Sequence, residues 1–101
     1  MAAIGIFEFA APLWLHAGGA WHFLSVPPEP SADITDLAAG LRGGFGSVRV
    51  AVTVGGTSWR TSVFPDRGRG VYVLPVKKAV RVAERLEVGA DVRVRLELAD
   101  L

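Results

Sequence analysis

Cysteine is missing altogether, and the 101 residues include only two histidines, one tyrosine and one methionine. Without a thiol there is no disulfide, no thiolate metal site and no cysteine nucleophile, and the composition suits a reducing compartment. Excess charge is lacking as well. Eleven Lys and Arg stand against ten Asp and Glu, a net charge of +1, so no whole-protein field draws in a polyanion. Long apolar runs are also absent. The longest near the start, residues 9–15 of MAAIGIFEFAAPLWLH, is far short of the roughly 20 residues that cross a bilayer, and no basic n-region precedes it. The expectation is a cytoplasmic chain without membrane contact.

Half of the residues are hydrophobic and 21% are charged, an ordinary globular balance in a length that suits one domain, residues 1–101. Charge is unevenly spread. Residues 1–56 carry two basic and four acidic side chains, 2 − 4 = −2, and residues 57–101 carry nine and six, 9 − 6 = +3. The second half is therefore the place to look for an anion contact.

Residues 6–13 and 21–26 read as strands, with Pro12 marking an edge or a strand end because it cannot donate to a ladder. From Ser47, Val48, Val50, Val52 and Val54 alternate with Arg49, Ala51 and Thr53, and Gly55-Gly56 supplies a two-residue hairpin turn. Pairing outward from that turn sets Val54 against Thr57, Val52 against Trp59, Val50 against Thr61 and Val48 against Val63. A first helix is expected with Ser31 as N-cap, Asp33 in its first turn, and Ile34, Leu37, Ala38 and Leu41 on one face before Gly43 and Gly44. A second follows Pro75. Lys77, Lys78, Arg81, Glu84 and Arg85 share its wet face, while Val76, Ala79, Val80, Ala83 and Leu86 share the other, up to Gly89. Val92, Val94, Leu96 and Leu98 alternate as the last strand.

The halves, about 4–54 and 57–98, resemble one another. At an offset of 50, Phe9 matches Trp59, Leu13 matches Val63 and Leu24 matches Leu74; after the helices the offset becomes 44, with Val48, Arg49 and Val50 against Val92, Arg93 and Val94. Each half reads β-β-α-β, and neither buries its own apolar faces. Interlocking them predicts a mainly β fold, a small closed six-stranded barrel with two short helices.

The second half, YVLPVKKAVRVAERLEVGADVRVRL, resembles the swapped-hairpin transcription factors of the AbrB and MazE type, except that Ala90 rather than glycine precedes Asp91. The whole chain is more similar still to a bacterial family of unknown function, number 1905 in that series, through Trp21, His22, Gly46, Trp59, Thr61, Tyr72, Leu74, Pro75, Val76, Lys77, Lys78 and Gly89. That resemblance implies a double-split barrel and no activity.

Two binding readings compete. The cationic set Lys77, Lys78, Arg81 and Arg85, with Arg67 and Arg69 of FPDRGRGVY, would contact a small anion or, weakly, nucleic acid. Alternatively Trp21, Trp59 and Tyr72, with Trp14 and Phe64 nearby and Arg60 and Ser62 as polar contacts, would form an aromatic pocket for a small molecule. Either set has a plainer explanation, a solvated helix face and an ordinary turn for the first, core packing for the second. His16 and His22 lack metal-ligand spacing, and Ser62, His22 and Asp66 have nothing that assembles them as a triad. The expectation is a binding or interaction module without cofactor, metal or catalytic residues, as a monomer or homodimer.

Overall fold

The computed structural model describes residues 5–38 and 46–99. Six strands, β1 (Ile6–Leu15), β2 (His22–Ser25), β3 (Val48–Val54), β4 (Thr57–Asp66), β5 (Val71–Pro75) and β6 (Asp91–Leu98), are joined by α1 (Pro28–Leu37) after β2 and α2 (Lys78–Ala83) after β5. They close into an antiparallel barrel in the order β1-β2-β5-β4-β3-β6. The fold is the mainly β, six-stranded closed barrel that the alternation predicts. Val48, Val50, Val52 and Val54 point inward together with Val92, Val94, Leu96 and Leu98, and Leu13, Leu24, Val63 and Leu74 complete the barrel's filling. Each such aliphatic side chain contributes about 1.5–3 kcal/mol when fully buried.

The β3–β4 hairpin has the expected register, from Val54↔Thr57 to Val48↔Val63. Gly55 has φ +57, so this turn favours glycine for its left-handed backbone, and a Cβ there would displace the Glu84 carboxylate. Glu84 is held there by Thr57, whose Oγ1 donates to Glu84 Oε2 at 2.6 Å. The residue after α2 thus pins the hairpin tip.

The pairing has two-fold character. Adding 50 to β1 and β2 and 42 to β3 carries the first half's register onto the second. Phe9↔Val94 becomes Trp59↔Val52, Ala11↔Val92 becomes Thr61↔Val50, and Ile6↔Glu97 falls on the turn glycines Gly56 and Gly55. Leu13↔Leu24 becomes Val63 and Leu74, which continues the register of Phe64↔Val73. The seams β2–β5 and β3–β6 map onto themselves through Leu24↔Leu74 and Thr53↔Arg95. The register therefore sets the third-strand offset at 42, one two-residue step from the 44 that sequence likeness suggests. Alternation hides such a step, because every second residue faces the core either way.

Local expectations differ from the structure in three places. β1 runs through Pro12 to Leu15. Leu13 N–H donates to Ala90 O, so by antiparallel alternation Pro12 falls on a non-hydrogen-bonded pair with Asp91 and its nitrogen faces β2, where the pairing stops at Leu13↔Leu24. α1 starts at Pro28 with Pro27 as N-cap, so Ser31 is not the cap; it lies in the helix and is buried. Proline is well placed there because the first helical N–H groups need no intrahelical partner. α2 stops at Ala83 rather than running to Gly89, and Arg85 takes a left-handed φ of 54. Leu86 N–H donates to Arg81 O and Arg85 N–H to Val82 O, the paired bonds of a Schellman ending. Leu41, Gly43 and Gly44, expected to finish the first helix, lie outside the described residues.

Candidate functional site

β5 ends at Pro75 and α2 begins at Lys78, and Pro75 and Val76 bring Lys77, Lys78 and Arg81 beside β4 and the start of β2. Together with Trp21, His22, Trp59, Arg60, Thr61 and Phe64 they line a concavity of about 410 Å³. Four cationic side chains and three aromatic rings share this space. None of its lining residues is acidic.

Arg81 is the fixed member of the cationic group. Its Nε donates to Val76 O at 3.2 Å, and Nη1 lies 3.4 Å from His22 Nε2. His22 Nδ1 lies 3.1 Å from Ala20 O. One neutral tautomer, with the proton on Nδ1, satisfies both contacts: Nδ1–H donates to Ala20 O and Nε2 accepts from Arg81. That assignment follows from the bonding pattern. Lys77 and Lys78 are exposed, and Arg81 is half-buried.

Two further concavities continue from the first, the smaller linking the larger to it. One of about 540 Å³ is lined by Trp14, His16, Phe23, Asp66, Arg67 and Arg69, among others. There the Arg69 guanidinium lies over the Trp14 ring, 3.8 Å from its centroid, and its Nε sits 3.3 Å from Asp66 Oδ2. The other, about 340 Å³, is lined by His16, Trp21, Phe23, Phe64 and Val73 and shares residues with both neighbours.

The sequence sets are thereby regrouped. Lys77, Lys78 and Arg81 meet Trp21, Trp59 and Arg60 in one space, so the cationic and aromatic readings overlap rather than compete. Arg67 and Arg69 belong to the second concavity, and Arg85 lines neither because α2 has ended before it. Tyr72 is in the core at 4% exposure, its hydroxyl 3.4 Å from Thr35 Oγ1, and Ser62, between Arg60 and Phe64 on the outer face of β4, is not among the lining residues. His22 and Asp66 line different concavities, so the three groups Ser62, His22 and Asp66 are not assembled. Among the described residues, no three His, Cys, Asp or Glu side chains cluster as a metal site, and no helix is long and apolar enough to cross a membrane.

Sequence reasoning missed His22 as Arg81's partner and Phe23 as the middle of the aromatic run. His22 and Arg81 are 59 residues apart, and nothing local signals their contact. Phe23 was legible in principle, since Trp21 and Phe23 at i and i+2 share a strand face.

The two-fold register supplies an internal comparison. Shifted by 50, Arg81 corresponds to Ser31, Val76 to Val26, Lys77 to Pro27, Lys78 to Pro28, Arg60 to Ala10 and Thr61 to Ala11. Backbone bonding is repeated: Val26 N–H donates to Tyr72 O as Val76 N–H donates to His22 O, both at 2.9 Å. Ser31 Oγ donates to Val26 O as Arg81 Nε donates to Val76 O. The same strand-to-helix junction is thus built once with four uncharged residues and once with four cations.

Residues 9–96 match the family described as "Domain of unknown function (DUF1905)". No curated protein matches the chain.

Proposed function

The chain belongs to the DUF1905 family, whose description assigns no activity, and from that premise we propose that it is a non-enzymatic binding module for a small organic anion with a flat apolar body. The ligand's charged group meets Arg81, Lys77 and Lys78, and its body lies against Trp21, Trp59 and Phe64. The uncharged twin of the junction carries this reading: a folding requirement would charge both copies or neither. A cavity of about 410 Å³ is within the range of small-molecule sites. The symmetric register also supports two joined β-β-α-β halves in a double-split barrel, and the lack of cysteine supports a cytoplasmic setting.

Naphthoate tests the reading, with naphthalenemethanol as its uncharged counterpart. Naphthoate is expected to quench tryptophan fluorescence saturably. Arg81→Ser, which installs the residue that the other half already uses, is expected to weaken it about ten- to hundredfold, as loss of a charge-assisted bond of about 1.5–3 kcal/mol requires, while binding of the alcohol is unchanged. Equal binding of acid and alcohol, or an unaltered affinity in Arg81→Ser, removes the proposal.

A further inference from the structure

The three concavities form one band on the outside of the barrel. Phe23 pairs across the strands with Trp14 on one side and Pro75 on the other, and Phe64 pairs with Val73, while the intervening Leu13, Leu24, Val63 and Leu74 are buried in the core. Rings therefore cover the outer face of β1, β2, β5 and β4. The Trp21 and Phe23 planes are 9° apart with centroids at 6.0 Å, the Trp14 and Phe23 centroids are 5.1 Å apart, and Trp21 is 62% exposed. Large aromatic rings held this open are unusual on a barrel whose interior is well filled.

Charge completes the pattern. Lys77, Lys78, Arg60 and Arg81 lie at one end of the band and Arg67 and Arg69 at the other. Asp66 is the one carboxylate among the described residues lining the three concavities, and it is already paired with Arg69. A ligand matching this surface presents negative charge at both ends and flat apolar groups between them, repeated at ring spacing. We propose that the band binds a short single strand of nucleic acid, with bases stacking along Trp21, Phe23 and Phe64 and phosphates held by the cations at the two ends.

Single-strand recognition without sequence preference combines a cationic path with aromatic platforms, which is what the band offers. A second copy of the chain fits it poorly. A two-fold contact brings the band against itself, setting cations against cations with no free carboxylate to neutralise them. The inference rests on the pocket reading for one end of the band and extends it over the remainder.

Fluorescently labelled oligothymidylate of about eight nucleotides is the probe, since an aromatic groove takes roughly 4–16. Anisotropy is expected to report saturable binding that weakens as salt rises, with a log–log slope of about −2 to −3.5 for three to five neutralised phosphates. Heparin and a duplex of the same length, which offer charge without free bases, are expected to bind at least about tenfold more weakly. Phe23→Ala is expected to weaken the oligonucleotide about fivefold or more, through lost stacking, and Arg69→Gln to reduce both affinity and slope. Arg69 lies outside the lining of the first pocket and touches none of its rings, so in Arg69→Gln naphthoate affinity stays as in the wild-type protein. Arg69→Gln alters an exposed side chain and keeps the test decisive if Phe23→Ala does not fold. Naphthoate binding without oligothymidylate binding overturns this inference and leaves the pocket proposal standing; loss of naphthoate binding alone does the reverse. Equal affinity for heparin, preference for phosphatidylglycerol vesicles, or a dimer that Phe23→Ala dissolves each overturns the nucleic-acid assignment.

Discussion

Ser31 places one hydroxyl where two backbone groups need it. Its Oγ donates to Val26 O at 3.0 Å and accepts Tyr72 N–H at 3.1 Å, bridging β2's exit, α1 and β5 from a position at 5% exposure. Removing it leaves a buried donor and a buried acceptor unmatched. Ser31→Ala is expected to lower stability by about 1–3 kcal/mol, measured as a shift of the urea midpoint at constant slope. A change below about 0.5 kcal/mol means that water replaces the bridge. In the sequence, serine ahead of an apolar periodic run signals an N-cap, and that local rule hides the real role, because the partner Tyr72 lies 41 residues away. Residue identities on the strands were legible for the opposite reason. A valine at every second place has one physical interpretation, and the hairpin register follows from it by counting.

At the scale of an element, α2 shows where periodicity misleads. The pattern continues to Leu86, and Leu86 does pack on the core, but it does so from beyond a Schellman turn rather than from a further turn of helix. Hydrophobic spacing records which side chains are buried, and a reversal in the left-handed region leaves no mark on it. Arg85 at φ 54 pays a backbone strain that glycine avoids. Arg85→Gly is therefore expected to stabilise the protein by about 1 kcal/mol, raising its melting temperature, while naphthoate affinity changes less than twofold. A weakened affinity would put Arg85 back into the cationic set from which the shortened helix removes it. The candidate site was legible as two lists of residues but not as one place. Their meeting depends on α2's entry packing near β4, a relation between elements distant in the chain.

For the whole molecule, the two-fold register has a consequence for the chain ends. The map sends Ile6 and Glu97 onto the hairpin turn, and Leu98 N–H donates to Gly5 O at 2.8 Å, so the ends of the described barrel meet much as the strands do at Gly55-Gly56. A circular permutant opened at that turn, with a Gly-Gly link joining Leu98 to Ile6, is expected to fold with the same circular dichroism and one cooperative unfolding transition. A molten or aggregated product counts against the equivalence of the two closures. Closure itself was foreseeable, since neither half can cover its own edges, but the offset of 42 needed the hydrogen-bonded register. Three neighbouring seams of the ring, β1–β2, β2–β5 and β4–β5, have only three residue pairs each, and the aromatic band crosses the middle one through Phe23 and Val73. Whatever occupies that band acts as a stitch over these short joins, so occupancy slows the breathing of the cylinder there and ligand and scaffold hold one another shut.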